Sequence, residues 1–284
     1  MQKIAVLLTC HNRKDKTLGC LNNFFKAKKP KNLSFDIFLV DDGSTDGTSC
    51  EIRLKFPNIN VIEGTGSLFW NQGMRLAWAK AIENAQDYDF FLWLNDDTFI
   101  YHDSVMHLIE CYNEYKKNNS KEAIVVAACS EDKNSKLFSY GLRGNQKPII
   151  PNGKIQNGDM MNGNLVLIKS SIHKKVGMLS NNYTHAMGDY DYGLRAIRFG
   201  IDLITTKKFV ATCESNKSIP VWCNPEIPLM KRWRSLHTPL GLNIDEYKLF
   251  RKRFWPDSYL ISMMKIYFRC FFPFIYAKIK TNEI

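Results

Sequence analysis

The stretch Phe90-Phe91-Leu92-Trp93-Leu94-Asn95-Asp96-Asp97-Thr98 constrains this chain more than any other. Five large apolar residues in succession fit a strand buried on both faces, and open parallel sheets gather their ligands at the carboxyl ends of such strands. Two adjacent carboxylates at that place call for a cause. Either Asp97 or Thr98 caps a helix beginning near Asp103, or the acids offer oxygen ligands to a hard divalent cation bridging a diphosphate.

The flanking sequence alternates strand and helix. Lys3 to Leu8 reads as a strand, and Lys14 to Lys28 carries apolar residues at helical spacing until Lys29-Pro30 stops it. Phe35 to Val40 is a second strand, and a turn from Asp41 to Thr48 leads into a helix through about Phe56. Asn60 to Glu63 is a third strand, and Asn71 to Asn84 a helix with Met74, Leu76, Ala77 and Ala81 available to the core. Strands separated by helices at this spacing imply a parallel sheet with right-handed crossovers, a nucleotide-binding architecture. Beyond the central strand, His102 to Lys117 reads as a helix and Ala123 to Cys129 as a strand. Residues 134 to 158 read as an irregular hairpin or a loop over a site, Met161 to Ile168 as another buried strand, and Asp189 to Phe199 as a helix ended by Gly200.

With 284 residues, 45% apolar and 24% charged, the chain has the composition of an ordinary globular protein large enough for an α/β domain and an appendage. Disorder is excluded as a class. Met1 leads directly into the first strand, which is too short and too soon followed by Asn12-Arg13-Lys14-Asp15 to be a signal peptide. The eight cysteines show no C-x-x-C spacing and read as reduced core residues, so a cytoplasmic location is expected.

Four segments together carry a family resemblance: Val6 to Arg13, Leu39 to Thr48, Leu94 to Thr98, and Gly188-Asp189-Tyr190-Asp191-Tyr192-Gly193-Leu194-Arg195. In this order, each at a strand end, they resemble the family 2 glycosyltransferases of the GT-A fold. Gly66 to Met74 is similar to the bacterial branch that includes rhamnosyltransferases of surface-polysaccharide assembly. The match covers roughly residues 3 to 205. It implies a Rossmann-like α/β domain over 1–215, with a mostly parallel central sheet flanked by helices; the remainder, 216–284, reads separately from its own residues as a basic, aromatic helical appendage. It also implies an inverting transfer of sugar from a UDP- or dTDP-linked donor to a hydroxyl of a glycan or lipid-linked acceptor.

Under that resemblance Asp41 accepts from base or ribose, with Thr9, His11, Arg13, Trp70, Asn71, Asn95 and Asp96 lining the nucleotide pocket. For Asp42, Ser44 and Asp46 the better account is a turn and a helix cap. The family's metal motif is Asp-any-Asp. Here it stands as Asn95-Asp96-Asp97, so the amide brings no charge and Asp97 becomes the best single ligand for Mn²⁺ or Mg²⁺. His237 resembles the late histidine that some GT-A enzymes fold over the diphosphate as a further ligand. The family's general base falls on Asp189, against the alternative that an acid there merely answers a helix dipole. Asp191 and Arg195 are spaced to pair along that helix, while Gly163, Asn164, His185 and Asp191 are the candidates for contact with donor or acceptor sugar.

The net charge of +11 is uneven, with 14 Lys and Arg against 6 Asp and Glu from Lys207 onward. Such asymmetry fits an anionic surface. Residues 258–279 are apolar but broken by Lys265, Arg269 and Pro273, which suits a helix lying on the inner face of a membrane or a homodimer contact, and does not suit a spanning helix. Leu260, Met263, Met264, Tyr267 and Phe271 would be its apolar surface. Two other functions compete. A sugar nucleotidyltransferase lacks here the Gly-rich, basic loop that grips a triphosphate, and a nucleic-acid-binding module leaves the acidic residues unexplained, so no nucleic acid is expected.

Overall fold

A computed structural model describes residues 1–84 and 86–275. These divide into two compact units, one of Met1–Asn181 with Gly188–Ser215 and the other of Asn182–Met187 with the chain from Asn216 onward.

The first unit begins β1 (Gln2–Cys10), α1 (Lys14–Lys26), β2 (Leu33–Asp41), α2 (Thr48–Lys55), β3 (Asn60–Glu63), α3 (Phe69–Glu83) and β4 (Phe90–Leu94). It continues through β5 (Phe99–Ile100), α4 (Ser104–Asn119), β6 (Ala123–Ser130), β7 (Phe138–Tyr140), β8 (Leu142–Gly144), β9 (Lys147–Pro148), β10 (Asn157–Gly158) and β11 (Met160–Met161). It closes with β12 (Leu165–Lys169), α5 (Ser170–Val176), α6 (Gly188–Arg198) and β13 (Asp202–Thr212). The large sheet runs β10-β13-β6-β12-β4-β1-β2-β3, with β5 added to β13 and β7 to β6. The pairs β1–β2, β1–β4, β2–β3 and β6–β13 are parallel. The strand β12 runs antiparallel to both β4 and β6.

Alternation along β1 builds a core on each side of the sheet. Ile4, Val6 and Leu8 face the layer with α1 and α4, where Leu21, Phe24, Leu108 and Tyr112 are buried. Ala5 and Leu7 face the other, with Met74 and Trp78 of α3, Ile172 of α5 and Tyr192 of α6. All five residues of β4 are buried, as expected for a central strand covered on both faces.

Two sequence expectations need correction. Asp97 and Thr98 do not cap a helix: the chain turns at Asn95, whose carbonyl accepts the Thr98 N–H at 3.1 Å, and continues into β5 against β13. The helix α4 starts only at Ser104, after the room for that edge pairing has been used. The segment from Met161 is not one strand either. Residues Met160–Met161 pair with β8 in a separate small sheet with β9, and the chain breaks at 162–164 before β12. The break is what brings Gly163 and Asn164 to the sheet end.

In the second unit, α7 (Leu229–Leu236), α8 (Ile244–Phe254) and α9 (Tyr259–Phe271) enclose Trp222, Leu236, Ile244, Met263, Ile266 and Cys270. Arg232 is buried, and its guanidinium donates to the carbonyls of Cys270 (2.8 Å) and Ile227 (2.6 Å). A cation among the last carbonyls of α9 answers both the unpaired acceptors and the negative end of the helix dipole. The expected outer face of α9 is rotated: Met263 is buried and Tyr267 stacks on Trp233, while Leu260, Ile261, Met264, Phe268, Phe271 and Phe272 are exposed. Arg269 lies over the Trp222 ring instead of joining Lys265 in a basic stripe. Residues 276–279 of the expected interfacial segment lie outside the described residues. No described helix is long and apolar enough to cross a membrane.

Candidate functional site

The register of the sheet collects the acidic segments. Cys10 pairs with Asp41 across β1 and β2, Leu7 with Trp93 across β1 and β4, and Leu165 with Leu94 across β12 and β4. Because β12 is antiparallel, its amino end lies beside the carboxyl end of β4, and the Asn95 N–H donates to the Asn164 carbonyl at 2.9 Å. One sheet end therefore holds Thr9 to Arg13, Asp41, Asn95 to Asp97, and Gly163 with Asn164.

The acids of the 41–48 turn are braces. Asp41 is 1% exposed, accepts the Ser44 N–H at 3.0 Å and also the Ser49 hydroxyl. Asp42 accepts three backbone N–H groups, from Gly66 and Leu68 at 2.8 Å and from Phe69 at 2.9 Å. It thereby fixes the loop before α3, where Phe69 holds a left-handed φ of 55° that an aromatic residue adopts only under constraint. Sequence reading assigned Asp42 only its local turn, since partners 24 to 27 residues away leave no periodic signal. Asp46 accepts from Thr48 at the start of α2 and from the Lys14 N–H.

That loop delivers Trp70 and Asn71. The Trp70 indole N–H donates to Asn95 Oδ1 at 2.7 Å, and its ring meets Trp93 edge to face at 6.1 Å. Trp93 packs in the same way on Trp78 of α3 (5.6 Å) and on Tyr192 of α6 (5.2 Å). These rings lock α3, β4 and α6 together, so the residues at their ends keep fixed separations. Asn71 is fully buried and donates to the Ser180 carbonyl at 2.8 Å. Thr9 is buried against Gly73, where a Cβ would stand 2.2 Å from its hydroxyl. His11 Nδ1 lies 2.6 Å from the Asp42 carbonyl on an exposed ring.

Asp189 opens α6 and is partly exposed. Its Oδ2 accepts the Gly163 N–H at 2.9 Å and its Oδ1 the Tyr190 N–H at 2.9 Å. Burial pushes its pKa up to about 6 against those two donors. Asp191, two residues on, is fully buried and bonded to Arg195 Nε at 2.7 Å, while Arg195 also donates to the carbonyls of Val176 and Met178. Its carboxylate anchors α6 and does not reach a sugar. The Asn164 amide is likewise turned inward, toward Cys213 Sγ at 3.3 Å. A Cβ at Gly163 would stand 2.6 Å from the Trp70 ring and 3.3 Å from Asp189 Cβ, so protein atoms fill the space beside it. His185 and His237 belong to the second unit, where His237 packs on Trp233 at 4.9 Å.

Arg13 reaches both remaining acids, with Nη1 at 3.2 Å from Asp96 Oδ1 and 2.9 Å from Asp97 Oδ2. Burial and the neighbouring Asp97 push the Asp96 pKa up to about 6, and the guanidinium opposes them.

The sequence model of glycosyl transferase family 2 matches residues 5–174, more than half of the chain. The chain belongs to that family. No curated protein matches it. Among solved structures, a mannosyltransferase of Pyrobaculum calidifontis, PcManGT, in complex with GDP-Man and Mn²⁺, is similar at a TM-score of 0.53 and 15% identity, over 75% of this chain and 57% of that one. TarS 1-349 of S. aureus in complex with UDP-GlcNAc is similar at 0.54 and 12%, over 87% of this chain and 70% of that one. The chain thus spans little more than half the length of the mannosyltransferase. At these identities the likeness shows the fold, and the family 2 domain here is a GT-A domain with a mostly parallel central sheet flanked by helices.

The similar mannosyltransferase structure holds Mn²⁺ together with GDP-Man. Among the described residues no three His, Cys, Asp or Glu side chains gather as a ready metal cage. Asn95, in the place of the family's first acid, spends its oxygen on Trp70. A single nitrogen cation nevertheless sits within hydrogen-bond reach of one oxygen from each of Asp96 and Asp97. Two carboxylates around one cation position suit Mg²⁺ or Mn²⁺ completed by phosphate oxygens and water.

Proposed function

We propose that this domain transfers a sugar from a nucleoside-diphosphate donor, UDP- or dTDP-linked, to a hydroxyl of a glycan or lipid-linked saccharide, with inversion at the anomeric carbon. The observation that carries the reading is the placement of Asp189. The Gly163 N–H that holds it belongs to the same short segment as Asn164, which is bonded to Asn95 beside Asp96 and Asp97. Asp189 and the pair Asp96 and Asp97 thus share one end of one sheet, which supports a base and a diphosphate site there.

In the proposed mechanism Asp189 takes the proton of the acceptor hydroxyl as that oxygen attacks the anomeric carbon opposite the departing diphosphate. With a pKa of about 6 it is ionised at neutral pH, and its two backbone donors fix its direction without neutralising it. Asp96 and Asp97 would hold the divalent cation, which when bound supplies charge neutralisation at the leaving diphosphate. Of the exposed β1–α1 loop, His11 and Arg13 are the side chains proposed to meet the nucleotide. Asp41 is proposed to act beneath the base and ribose by fixing the turn they rest on.

The rhamnosyltransferase-like branch and surface-polysaccharide assembly are the family setting that Gly66 to Met74 suggests. The appendage is proposed to rest on the anionic inner leaflet, where a lipid-linked acceptor is found. The exposed apolar residues of α9, with Lys252 and Lys265 exposed nearby in the chain, support that contact over a homodimer. A thermal-shift screen of UDP-, dTDP- and GDP-sugars with and without Mn²⁺ or Mg²⁺ tests the reading. One donor should raise the melting temperature in proportion to its occupancy, and no shift with any of them would remove the reading.

A further inference from the structure

Arg13 lies between Asp96 and Asp97, and four observations describe how it is held there. Its Nη1 contacts Asp96 Oδ1 and Asp97 Oδ2, one oxygen from each acid. The opposite oxygens face other groups, Cys213 Sγ at 3.6 Å for Asp97 and, for Asp96, Thr17 Oγ1 at 3.4 Å, whose one proton is shared with the Arg13 carbonyl. A cation that bridges the two acids therefore meets the oxygens the guanidinium already occupies.

The Arg13 backbone is pinned to its neighbours, whereas the polar contacts of its side chain are those with the two acids. The Asn12 N–H bonds Ser44 Oγ and the Thr45 N–H bonds Asn12 Oδ1, tying the loop to the 41–48 turn. The Arg13 carbonyl accepts both the N–H and the hydroxyl of Thr17 in the first turn of α1. The side chain is 50% exposed, so it can swing toward solvent without moving the loop.

Charge balance sets the consequence. Asp96 is buried, and with Asp97 and Arg13 the cluster carries one net negative charge. Adding a divalent ion beside the guanidinium would leave one net positive charge and set two cations side by side next to the buried Asp96, at a cost in repulsion. A diphosphate reverses this, because it offers the planar guanidinium a two-point anionic partner and offers the metal more oxygens.

We propose that Arg13 is the resident counter-ion of the Asp96 and Asp97 pair, which a divalent cation must displace, so that metal and diphosphate bind cooperatively through the handover of this one guanidinium. The diphosphate part rests on the donor reading above. The competition between Arg13 and metal does not.

Isothermal titration of Mn²⁺ into the full chain tests it, with no substrate required. Arg13→Gln should bind Mn²⁺ alone at least about fivefold more tightly than wild type, the low end of ordinary coupling between sites. Arg13→Lys, which keeps the charge, should stay near wild type. Asp97→Asn should lose the binding in both backgrounds. Adding UDP should raise Mn²⁺ affinity by a larger factor in wild type than in Arg13→Gln. Circular dichroism checks folding, and Arg13→Met replaces the Gln variant if that one does not fold. Equal or weaker Mn²⁺ binding by the charge-removed variant, or no Mn²⁺ binding by either protein, overturns the proposal. Failure of every nucleotide sugar to bind, with the Mn²⁺ competition intact, would strike the donor reading alone.

Discussion

The backbone N–H of Gly163 holds Asp189 Oδ2 at 2.9 Å, although Gly163 lies in the break before β12 and Asp189 opens α6, 26 positions on. That bond is available only because Gly163 has no side chain: a Cβ would stand 2.6 Å from the Trp70 ring. Trp70 is in turn tied to Asn95. The chain Asn95, Trp70, Gly163, Asp189 connects the segment after β4 to Asp189, the proposed base.

Gly163→Ala should therefore disturb both ends. Forcing a methyl against the indole costs about 1–3 kcal/mol of stability by overpacking, read from the midpoint of urea denaturation. The same variant should lose turnover beyond its loss of folded protein, because the N–H no longer aims Asp189.

Replacing Asp189 separates chemistry from donor binding. Asp189→Asn should lower turnover by about 10²–10⁴-fold while leaving the donor-induced thermal shift in place. Normal turnover would show the base to be elsewhere. In the wild-type enzyme the rate should fall as pH drops through about 6, where the carboxylate takes up its proton, and level off above it.

The same raised pKa makes a stability statement. A carboxyl whose folded pKa lies above its unfolded value favours the folded state when protonated, and that contribution is lost as pH rises through about 6. Relative to wild type, Asp189→Asn should therefore gain about 2 kcal/mol between pH 3.5 and 7.5. Using the change with pH removes the fixed cost of an amide facing two backbone donors. Parallel denaturation curves across this range would contradict the assignment.

Asp42 offers a test remote from the chemistry. With three backbone donors on one buried carboxylate, Asp42→Ala should cost about 3 kcal/mol. Amide exchange at Gly66, Leu68 and Phe69 should accelerate before that of the β1 core, and uniform acceleration would show that the loop has no separate brace.

The exposed face of α9 gives a test of the appendage. Leu260→Ser with Met264→Ser should leave the melting temperature unchanged, because both side chains are exposed, at 72% and 68%. Pelleting with anionic vesicles should be lost. Undiminished pelleting would rule out this face as the lipid contact, and a change in sedimentation in place of pelleting would assign it to a dimer.

What the sequence alone determined is the local and the periodic. The apolar run at Phe90 to Leu94, the strand at Asn60 to Glu63, the helix around Met74 and Ala77, and the pairing of Asp191 with Arg195 follow from spacing along a strand or helix, which is short-range geometry. Four segments in order, three of them acidic, were enough to name the family. What only the tertiary structure decided is which distant groups each acid is bonded to. The braces of Asp41 and Asp42, the inward turn of Asn164, the use of Asn95 on Trp70, and the seat of Arg13 between Asp96 and Asp97 all join segments tens of residues apart. A carboxylate has the same letter whether it holds a loop or a substrate, and only the donors that the fold brings to its oxygens tell the two apart.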